Sequence, residues 1–261
     1  MGGRAAWRGL RALLGAVIAQ ALTRAFTITA LERTNFRGRT VSLAGGPALA
    51  VAASVTGALG DRRTAPAVLT AGLGSGAVGL YDDIVGARPE QKAYKGFRGH
   101  VGALREGRVT SGMVKIAGVG AAALAASALL PRRRKVDVLL GAGVIAGAAN
   151  LLNLLDLRPG RALKVGVAVG APMKEMAGPV GAAGALLRSD LDEQIMLGDS
   201  GANALGAVLG VGIAARTGTW GRLAILAGLT ALTLASEKVS FTKVIADTPM
   251  LRRVDEWGRR S

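Results

Sequence analysis

Long apolar runs recur along the chain, and they restrict its fold more than any other feature of the sequence. The runs cover residues 7–31, 41–59, 65–81, 110–130, 136–155, 200–217 and 220–236. Each is close to the length of about 20 residues that carries an α-helix across a bilayer. Because helices satisfy their own backbone hydrogen bonds in lipid, the runs predict an all-α, multi-span transmembrane bundle of about 8–10 helices. The alternative is a soluble helical protein rich in Ala and Gly, which would carry more polar residues between its helices.

A further apolar stretch, residues 162–187, decides the topology. Lys174 and Glu175 interrupt it, and Pro172 and Pro179 flank that charged pair. One continuous span would bury both charges at mid-membrane, where they are costly. We therefore expect a hairpin of two short helices with the charged pair at the turn. Each half has only about 12 residues, so the hairpin would be tilted or re-entrant.

The charged residues are predominantly basic, with 33 Lys and Arg against 17 Asp and Glu. They cluster between the apolar runs, which favours contacts with anionic headgroups and phosphate-bearing substrates over contacts with nucleic acid. With the hairpin, one side of the membrane holds loops 32–40, 82–109, 156–164 and 188–199 and the segment 237–261. Lys and Arg are more numerous on that side, although residues 132–135 are basic on the other. We therefore expect it to be the cytoplasmic face of a multi-pass plasma-membrane protein.

The polar segments are too short to form a separate soluble domain. We expect residues 1–236 to form the transmembrane domain and residues 237–261 to form a charged cytoplasmic tail. The sequence contains no Cys and a single His, His100. This composition excludes disulfides, thiol nucleophiles, thiolate metal sites and metal sites built from several histidines.

Two adjacent carboxylates, Asp82 and Asp83, follow directly after the apolar run 65–81. Neighbouring carboxylates repel each other unless a cation or water lies nearby, and both are costly at mid-membrane. A water-facing position at the membrane boundary is therefore expected. Their hard oxygen atoms suit Mg²⁺, which is usually bound by one or two carboxylates together with substrate phosphates. The alternative interpretation is a pair of charges at a helix end.

Two further polar motifs lie at the edges of apolar runs. Asn150, Asn153 and Asp156 follow one another at steps of three residues, so they share one side of a helix. Hydrogen bonding between helices would also explain the two amides. Asp199, in the sequence Gly-Asp-Ser-Gly at 198–201, precedes another apolar run. An ordinary turn with a helix cap is the alternative there.

The loop between residues 92 and 100 is basic. Lys92, Lys95 and Arg98 are expected to bind substrate phosphates, although contact with lipid headgroups would explain the same charges. His100 is interpreted as a polar loop residue without a catalytic role.

Taken in order, these motifs resemble those of the polyprenyl-phosphate N-acetylhexosamine-1-phosphate transferases, the MraY/WecA-like superfamily or glycosyltransferase family 4. The resemblance covers roughly residues 30–210. It is carried by Tyr81-Asp82-Asp83, by Asn150, Asn153 and Asp156, by the segment from Leu197 to Gly206, and by Asn35 and Arg37 followed by Gly45-Gly46-Pro47.

The resemblance implies a Mg²⁺-dependent membrane enzyme. Such enzymes transfer a sugar-1-phosphate from a UDP-sugar to a polyprenyl phosphate and release UMP, with the active site on the cytoplasmic face. It implies that Asp83 and Asp199 are metal ligands, and that Asp82, Asp83 and Asp199 are catalytic. Substrate binding would fall to Asn35, Arg37, Asn150, Asn153 and Asp156. Arg158 and Arg161 stand where the family usually has an acid, and we expect them to bind the diphosphate together with the basic loop. A homodimer is compatible with this interpretation.

The chain also departs from the family pattern. Pro159 stands where members commonly have a second acid after Asp156, and the histidine-rich motif of a late cytoplasmic loop is absent. Two alternatives therefore remain. One is a catalytically altered relative that binds a nucleotide or prenyl phosphate without turnover, and the other is a small membrane transporter. Against the transporter, the sequence shows no duplicated halves, and its acids lie at a boundary instead of the midplane.

Overall fold

The computed structural model describes residues 2–26, 28–35, 37–88, 109–131 and 134–259. Eleven α-helices lie within these ranges. The first six are α1 (Gly2–Ala25), α2 (Gly45–Ala58), α3 (Ala65–Val85), α4 (Ser111–Leu129), α5 (Lys135–Leu155) and α6 (Arg161–Gly170). The other five are α7 (Ala177–Leu191), α8 (Gly198–Arg216), α9 (Thr219–Ser236), α10 (Phe241–Asp247) and α11 (Pro249–Glu256). The basic-loop residues Lys92, Lys95 and Arg98, and also His100, lie outside the described residues.

Three helices of the described chain, α4, α5 and α9, are long and apolar enough to cross a membrane. This finding indicates association with a membrane and agrees with the expected helical bundle. The run 41–59 forms a helix of only 14 residues, α2. The run 65–81 lies in α3, which continues through both acids to Val85.

Helix α8 forms the centre of the bundle. Every residue from Ser200 to Gly212 is buried, and the helix packs against α2, α3 and α5. The contact with α3 is close because glycines line it. A Cβ atom added to Gly79 would lie 2.4 Å from the backbone oxygen of Asp199. The end of α3 and the beginning of α8 are therefore held backbone to backbone, and this contact sets the position of the acids that both ends carry.

The stretch 162–187 forms the expected hairpin. Helix α6 ends at Gly170, a single 3₁₀ turn covers Lys174–Met176, and α7 begins at Ala177. Both charged residues lie in the turn, and the carboxylate of Glu175 is bound by the guanidinium of Arg216. Helix α7 then packs against α1 and α2.

A small β-hairpin was not anticipated from the apolar pattern. Strands β1 (Glu32–Thr34) and β2 (Thr40–Ser42) pair antiparallel, with Arg33 opposite Val41. Ser42 also forms a parallel bridge with Ile195, in the segment that precedes α8. The hairpin therefore joins the first polar loop to the end of the bundle where α8 begins.

Residues 241–256 fold into α10 and α11, and this tail contacts helix α6 of the bundle. Arg161 binds Asp255 through two hydrogen bonds of 2.8 and 2.9 Å. The ammonium group of Lys164 donates to the backbone oxygens of Val254, Asp255 and Trp257 at distances of 2.6 to 3.0 Å. These carbonyls lie at the carboxyl end of α11, where a positive charge is favourable.

Candidate functional site

Asp83 holds the beginning of helix α8. Its Oδ1 accepts a hydrogen bond from the backbone N–H of Asp199 and its Oδ2 accepts one from that of Ser200, both at 2.9 Å. These amides belong to the first turn of α8, where N–H groups lack partners within their own helix. Gly198 has φ of +59°, and a Cβ atom there would lie 2.7 Å from Oδ1 of Asp83. Glycine therefore permits both the left-handed turn and the close approach of the carboxylate.

Lys115 bridges Asp82 and Asp199. Its Nζ lies 2.8 Å from Oδ2 of Asp82 and 2.6 Å from Oδ2 of Asp199. Lys115 belongs to α4, one of the three helices able to cross a membrane. The ammonium group thus balances two carboxylates from different helices. The oxygens of Asp82 and Asp199 form a position that attracts a cation.

Lys115 was missed as a site residue by the sequence interpretation. Its signal was nevertheless present, because it is a lysine inside an apolar run, and such a residue generally has a functional partner. The sequence could not identify that partner, since Asp199 lies 84 residues further along the chain.

A cavity of about 730 Å³ brings the predicted motifs together. Its walls contain acids, amides and cations from α3, α4, α5, the β-hairpin and the first turn of α8. The polar lining residues are Arg33, Thr34, Asp82, Asp83, Ser111, Lys115, Asn150, Asn153, Asp156 and Asp199. Three motifs that are far apart in the sequence therefore share one cavity, as their common position at apolar-run boundaries predicted.

Asp156 ends helix α5 and lies in the wall of this cavity. Desolvation raises the pKa of its carboxyl group well above the usual range, and the charges of Asp190, Asp83 and Asp199 act in the same direction. A carboxyl group with a raised pKa can donate its proton in a hydrogen bond to an acceptor atom of a ligand. A cation bound beside it would instead favour the ionised form. Asp156 thus belongs to the same electrostatic group as the Asp82–Asp199 pair.

A second, largely apolar groove of about 300 Å³ adjoins the polar cavity. It lies between α4, α5 and α9, with Leu226 and Leu229 among its apolar lining residues. Lys115, Asn150 and Asn153 line both spaces. The groove therefore runs between the three apolar helices and meets the polar cavity at Lys115.

Three buried or half-buried amides line the groove, those of Asn150, Asn153 and Asn203. Asn150 donates to the hydroxyl of Thr233 at 3.1 Å. Asn203 is 3% exposed, and its Nδ2 has no hydrogen-bond partner in the described part of the chain. An unpaired buried donor is costly, so a ligand or water with an acceptor oxygen would satisfy it.

Asn35 and Arg37 contact Glu193 instead of the large cavity. Asn35 donates to Glu193 at 2.7 Å, and Arg37 forms an ion pair with it at 3.3 Å. Asn35 and Arg158 line a small cavity of about 70 Å³, and Asp156 lies in the walls of both cavities. The small cavity that Asn35 and Arg158 line is therefore adjacent to the cavity of about 730 Å³, and Asp156 lies between the two.

Arg161 lies apart from these cavities' described linings. Its side chain is buried against the tail, where Asp255 and Thr242 accept its hydrogen bonds. Burial opposes the ionisation of Asp255, but hydrogen bonds from Arg161 and Arg259 hold its pKa below the usual value. In this arrangement the guanidinium group joins helix α6 to α11.

Within the described ranges, no three or more His, Cys, Asp or Glu residues are grouped so that they could hold a metal ion. A site for Mg²⁺ would need fewer protein ligands, because substrate phosphates and water supply the others. No known protein-family model matches this sequence, and no curated protein matches it.

Proposed function

We propose that this chain is a multi-pass membrane phosphoglycosyltransferase that moves a sugar-1-phosphate from a UDP-sugar to a polyprenyl phosphate. The observation that carries the proposal is the position of the Asp82–Lys115–Asp199 cluster. It lies where the polar cavity meets the apolar groove between the candidate spans. A reaction between a soluble nucleotide and a membrane lipid needs such a junction, because each substrate arrives from a different solvent.

The chemistry is the attack of one phosphate on another. An oxygen of the polyprenyl phosphate attacks the sugar-bearing phosphorus of the UDP-sugar. The bond from that phosphorus to the bridging oxygen breaks, and UMP leaves with the bridging oxygen. Both reactants are anionic, so catalysis requires cations and fixed positions in the absence of competing water. The polar cavity offers Lys115 and Arg33 as cations.

Asp82 and Asp199 are the residues that would hold Mg²⁺ in this proposal. Their oxygens flank Lys115 and line the cavity, and two carboxylates with substrate phosphates form a usual Mg²⁺ ligand set. Bound Mg²⁺ would neutralise the charge of the diphosphate. Asp83 differs, since both of its oxygens already accept backbone amides of α8. Its role is therefore to position Asp199, which modifies the expectation that Asp83 is itself a ligand.

The apolar groove is the proposed place of the prenyl chain. Leu226, Leu229 and Ile116 supply an apolar lining, and Lys115 at the junction would contact the lipid phosphate. The nucleotide would enter from the cytoplasmic side, with Asn153 and Asp156 on its side of the cavity. Lys92, Lys95 and Arg98 remain predicted phosphate contacts of the same face.

The test is to incubate purified protein with polyprenyl phosphate, Mg²⁺ and a panel of UDP-sugars, and to measure UMP and the lipid-linked product. Asp82→Asn is the informative variant, and Asp61→Asn is its matched control. Asp61 is an exposed acid in the turn between α2 and α3. Release of UMP with formation of a lipid-linked sugar diphosphate, lost in Asp82→Asn alone, is the expected result. Failure of every sugar to react would contradict the proposal.

A binding protein without turnover is the second candidate. The observation that favours it is that Lys115 forms ion pairs with both Asp82 and Asp199, so the two carboxylates that would hold the metal ion have a cationic partner within the chain. Pro159 in place of a second acid points in the same direction. Saturable binding of a UDP-sugar or prenyl phosphate with no UMP release would identify this case.

A further inference from the structure

A separate cavity of about 880 Å³ lies at the opposite end of the bundle from the acids. The two ends of helix α2 define this separation. Gly45 lies beside Ile195 and Met196, close to the start of α8, whereas Gly60 lies beside Arg11 and Glu175. The intervening helix of 14 residues is about 21 Å long at 1.5 Å per residue. The cavity of about 880 Å³ therefore has no part in the proposed reaction.

The lining of this cavity is cationic. Arg8, Arg11 and Lys174 line it together with Trp7 and Gly60, and no carboxylate is among its described lining residues. The carboxylate of Glu175, which follows Lys174 in the chain, is bound to Arg216. The described lining of the cavity therefore has three basic side chains and no acidic one.

The hydrogen bonds made by the two arginines do not remove that charge. Arg8 donates to the backbone oxygen of Ala171 at 2.7 Å. Arg11 donates to the backbone oxygens of Lys174 and Glu175 at 3.0 and 3.3 Å. Carbonyl oxygens satisfy N–H donors but carry no net charge, so both guanidinium groups still favour an anion nearby.

Arg11 also has an unused donor. Its side chain is 5% exposed, and its Nε has no hydrogen-bond partner in the described part of the chain. A buried donor without a partner is unfavourable. Gly60 leaves the room for this arrangement, because a Cβ atom there would lie 2.9 Å from Nη1 of Arg11. The site thus combines a buried, partly unsatisfied guanidinium with two more accessible cations.

We propose that this cavity binds the phosphate of an anionic phospholipid headgroup in the leaflet at that end of the bundle. Three cations and a free N–H match a phosphate, which accepts several charge-assisted hydrogen bonds. Trp7 favours a lipid over a soluble anion, because its half-exposed indole lines the same cavity and such rings settle at the headgroup level. The inference does not depend on the catalytic proposal.

The experiment uses Trp7 as the reporter. In a Trp220→Phe, Trp257→Phe background, Trp7 is the remaining tryptophan. The protein is placed in phosphatidylcholine nanodiscs that contain a small fraction of brominated phosphatidylglycerol or brominated phosphatidylcholine. We expect phosphatidylglycerol to quench Trp7 at a concentration at least about fivefold lower, the factor that one basic residue near an anionic surface supplies.

The matched variants separate the cavity from general surface charge. Arg8→Gln with Lys174→Gln should abolish the preference for phosphatidylglycerol. Arg62→Gln with Arg63→Gln should retain it, because these exposed arginines lie at the same end but outside the cavity lining. Arg11 is left unchanged because it anchors the turn, and the single variant Lys174→Gln provides a milder test should the double variant unfold.

Three results would overturn the inference. Equal quenching by both lipids in the otherwise native chain would show that the cavity does not prefer an anionic headgroup. Loss of the preference in millimolar inorganic phosphate would assign the cavity to a soluble anion. An equal loss of preference in the Arg62 and Arg63 control would attribute the effect to surface charge alone.

Discussion

The Nζ atom of Lys115 lies 2.6 Å from Oδ2 of Asp199, and it lies 2.8 Å from Oδ2 of Asp82. One ammonium group thereby joins the apolar helix α4 to the beginning of α8 and the end of α3. A divalent cation that binds the same oxygens would take over this neutralising role, and the ammonium group would become available to a phosphate. The contacts of Lys115 therefore lead to a direct test of whether the acid pair binds metal.

Replacing Lys115 with Gln should make the stability of the protein depend on Mg²⁺. Without the ammonium group, Asp82 and Asp199 face each other uncompensated, and we expect a loss of about 1–3 kcal/mol. Added Mg²⁺ should raise the Tm of Lys115→Gln more than that of the wild type, as measured by thermal unfolding in detergent. Lys115→Arg is the control, since it keeps the charge. An equal Mg²⁺ effect in all three proteins would argue against a metal at this pair.

The neighbouring acids Asp82 and Asp83 should behave differently when each is replaced by Asn. Asp82→Asn should lower turnover at least about a hundredfold, the scale of one lost transition-state contact, with little change in stability. Asp83→Asn should also destabilise the protein by about 1 kcal/mol, because an amide nitrogen would face a backbone N–H of α8. Turnover and thermal unfolding measured on the same preparations separate the two roles. Identical effects of both variants on Tm would contradict a special capping role for Asp83.

Gly79→Ala should disturb the site without touching any charged group. The new Cβ would lie 2.4 Å from the backbone oxygen of Asp199, so α3 must move away from α8. Overpacking of this kind costs about 1–3 kcal/mol, and the displaced acids should reduce turnover as well. Gly184→Ala in helix α7 is the matched control, because a Cβ atom at that position would have no neighbouring atom within 4 Å. It should be neutral or slightly stabilising, and a similar loss in both variants would contradict the role of the close contact.

Asp190 should make stability depend on pH. Burial raises the pKa of its carboxyl group to about 7, although a backbone hydrogen bond from Gly160 opposes the shift. The folded chain therefore holds this proton to a higher pH than the unfolded chain, whose carboxyl titrates near about 4. The contribution of Asp190 to the free energy of unfolding should decline as pH rises from about 4 to about 7, and level off above.

The variant Asp190→Asn isolates this contribution. Its side-chain oxygen can still accept the hydrogen bond from Gly160, which is 2.7 Å long in the native chain. Thermal unfolding at pH 5 and pH 8 should show that the variant gains Tm relative to the wild type at pH 8, and gains less at pH 5. A difference that is independent of pH would show that Asp190 titrates normally.

The sequence predicted the members of the polar cavity better than their contacts. The apolar runs indicated which acids lie at helix ends, and the structure brings Asp82, Asp156 and Asp199 to one cavity. The charged pair Lys174 and Glu175 likewise marked the hairpin turn, because a pair of charges within an apolar stretch has few acceptable positions. These predictions relied on the cost of placing a charge away from water. That cost depends on each segment alone and not on how the segments pack together.

Contacts between distant segments were harder to predict. Lys115 lies within the apolar run 110–130, but its pairing with Asp199 depends on how α4 packs beside α8. Arg161 was expected to bind substrate, yet it contacts Asp255 in a tail that had been separated from the membrane domain. Local composition shows that such charges need partners, and only tertiary packing selects which partner each obtains.

The docking of the tail has a consequence for the order of biosynthesis. Arg259 donates to the backbone oxygen of Pro159 at 2.8 Å across 100 residues of sequence, and Lys164 and Arg161 likewise find their partners in α11. At the usual rates of translation the ribosome needs roughly 5–20 s to add those 100 residues. Pro159, Arg161 and Lys164 therefore lack these tail partners until nearly all of the bundle has been synthesised. The contact between the tail and the segment after Asp156 is thus completed late in the synthesis of the chain.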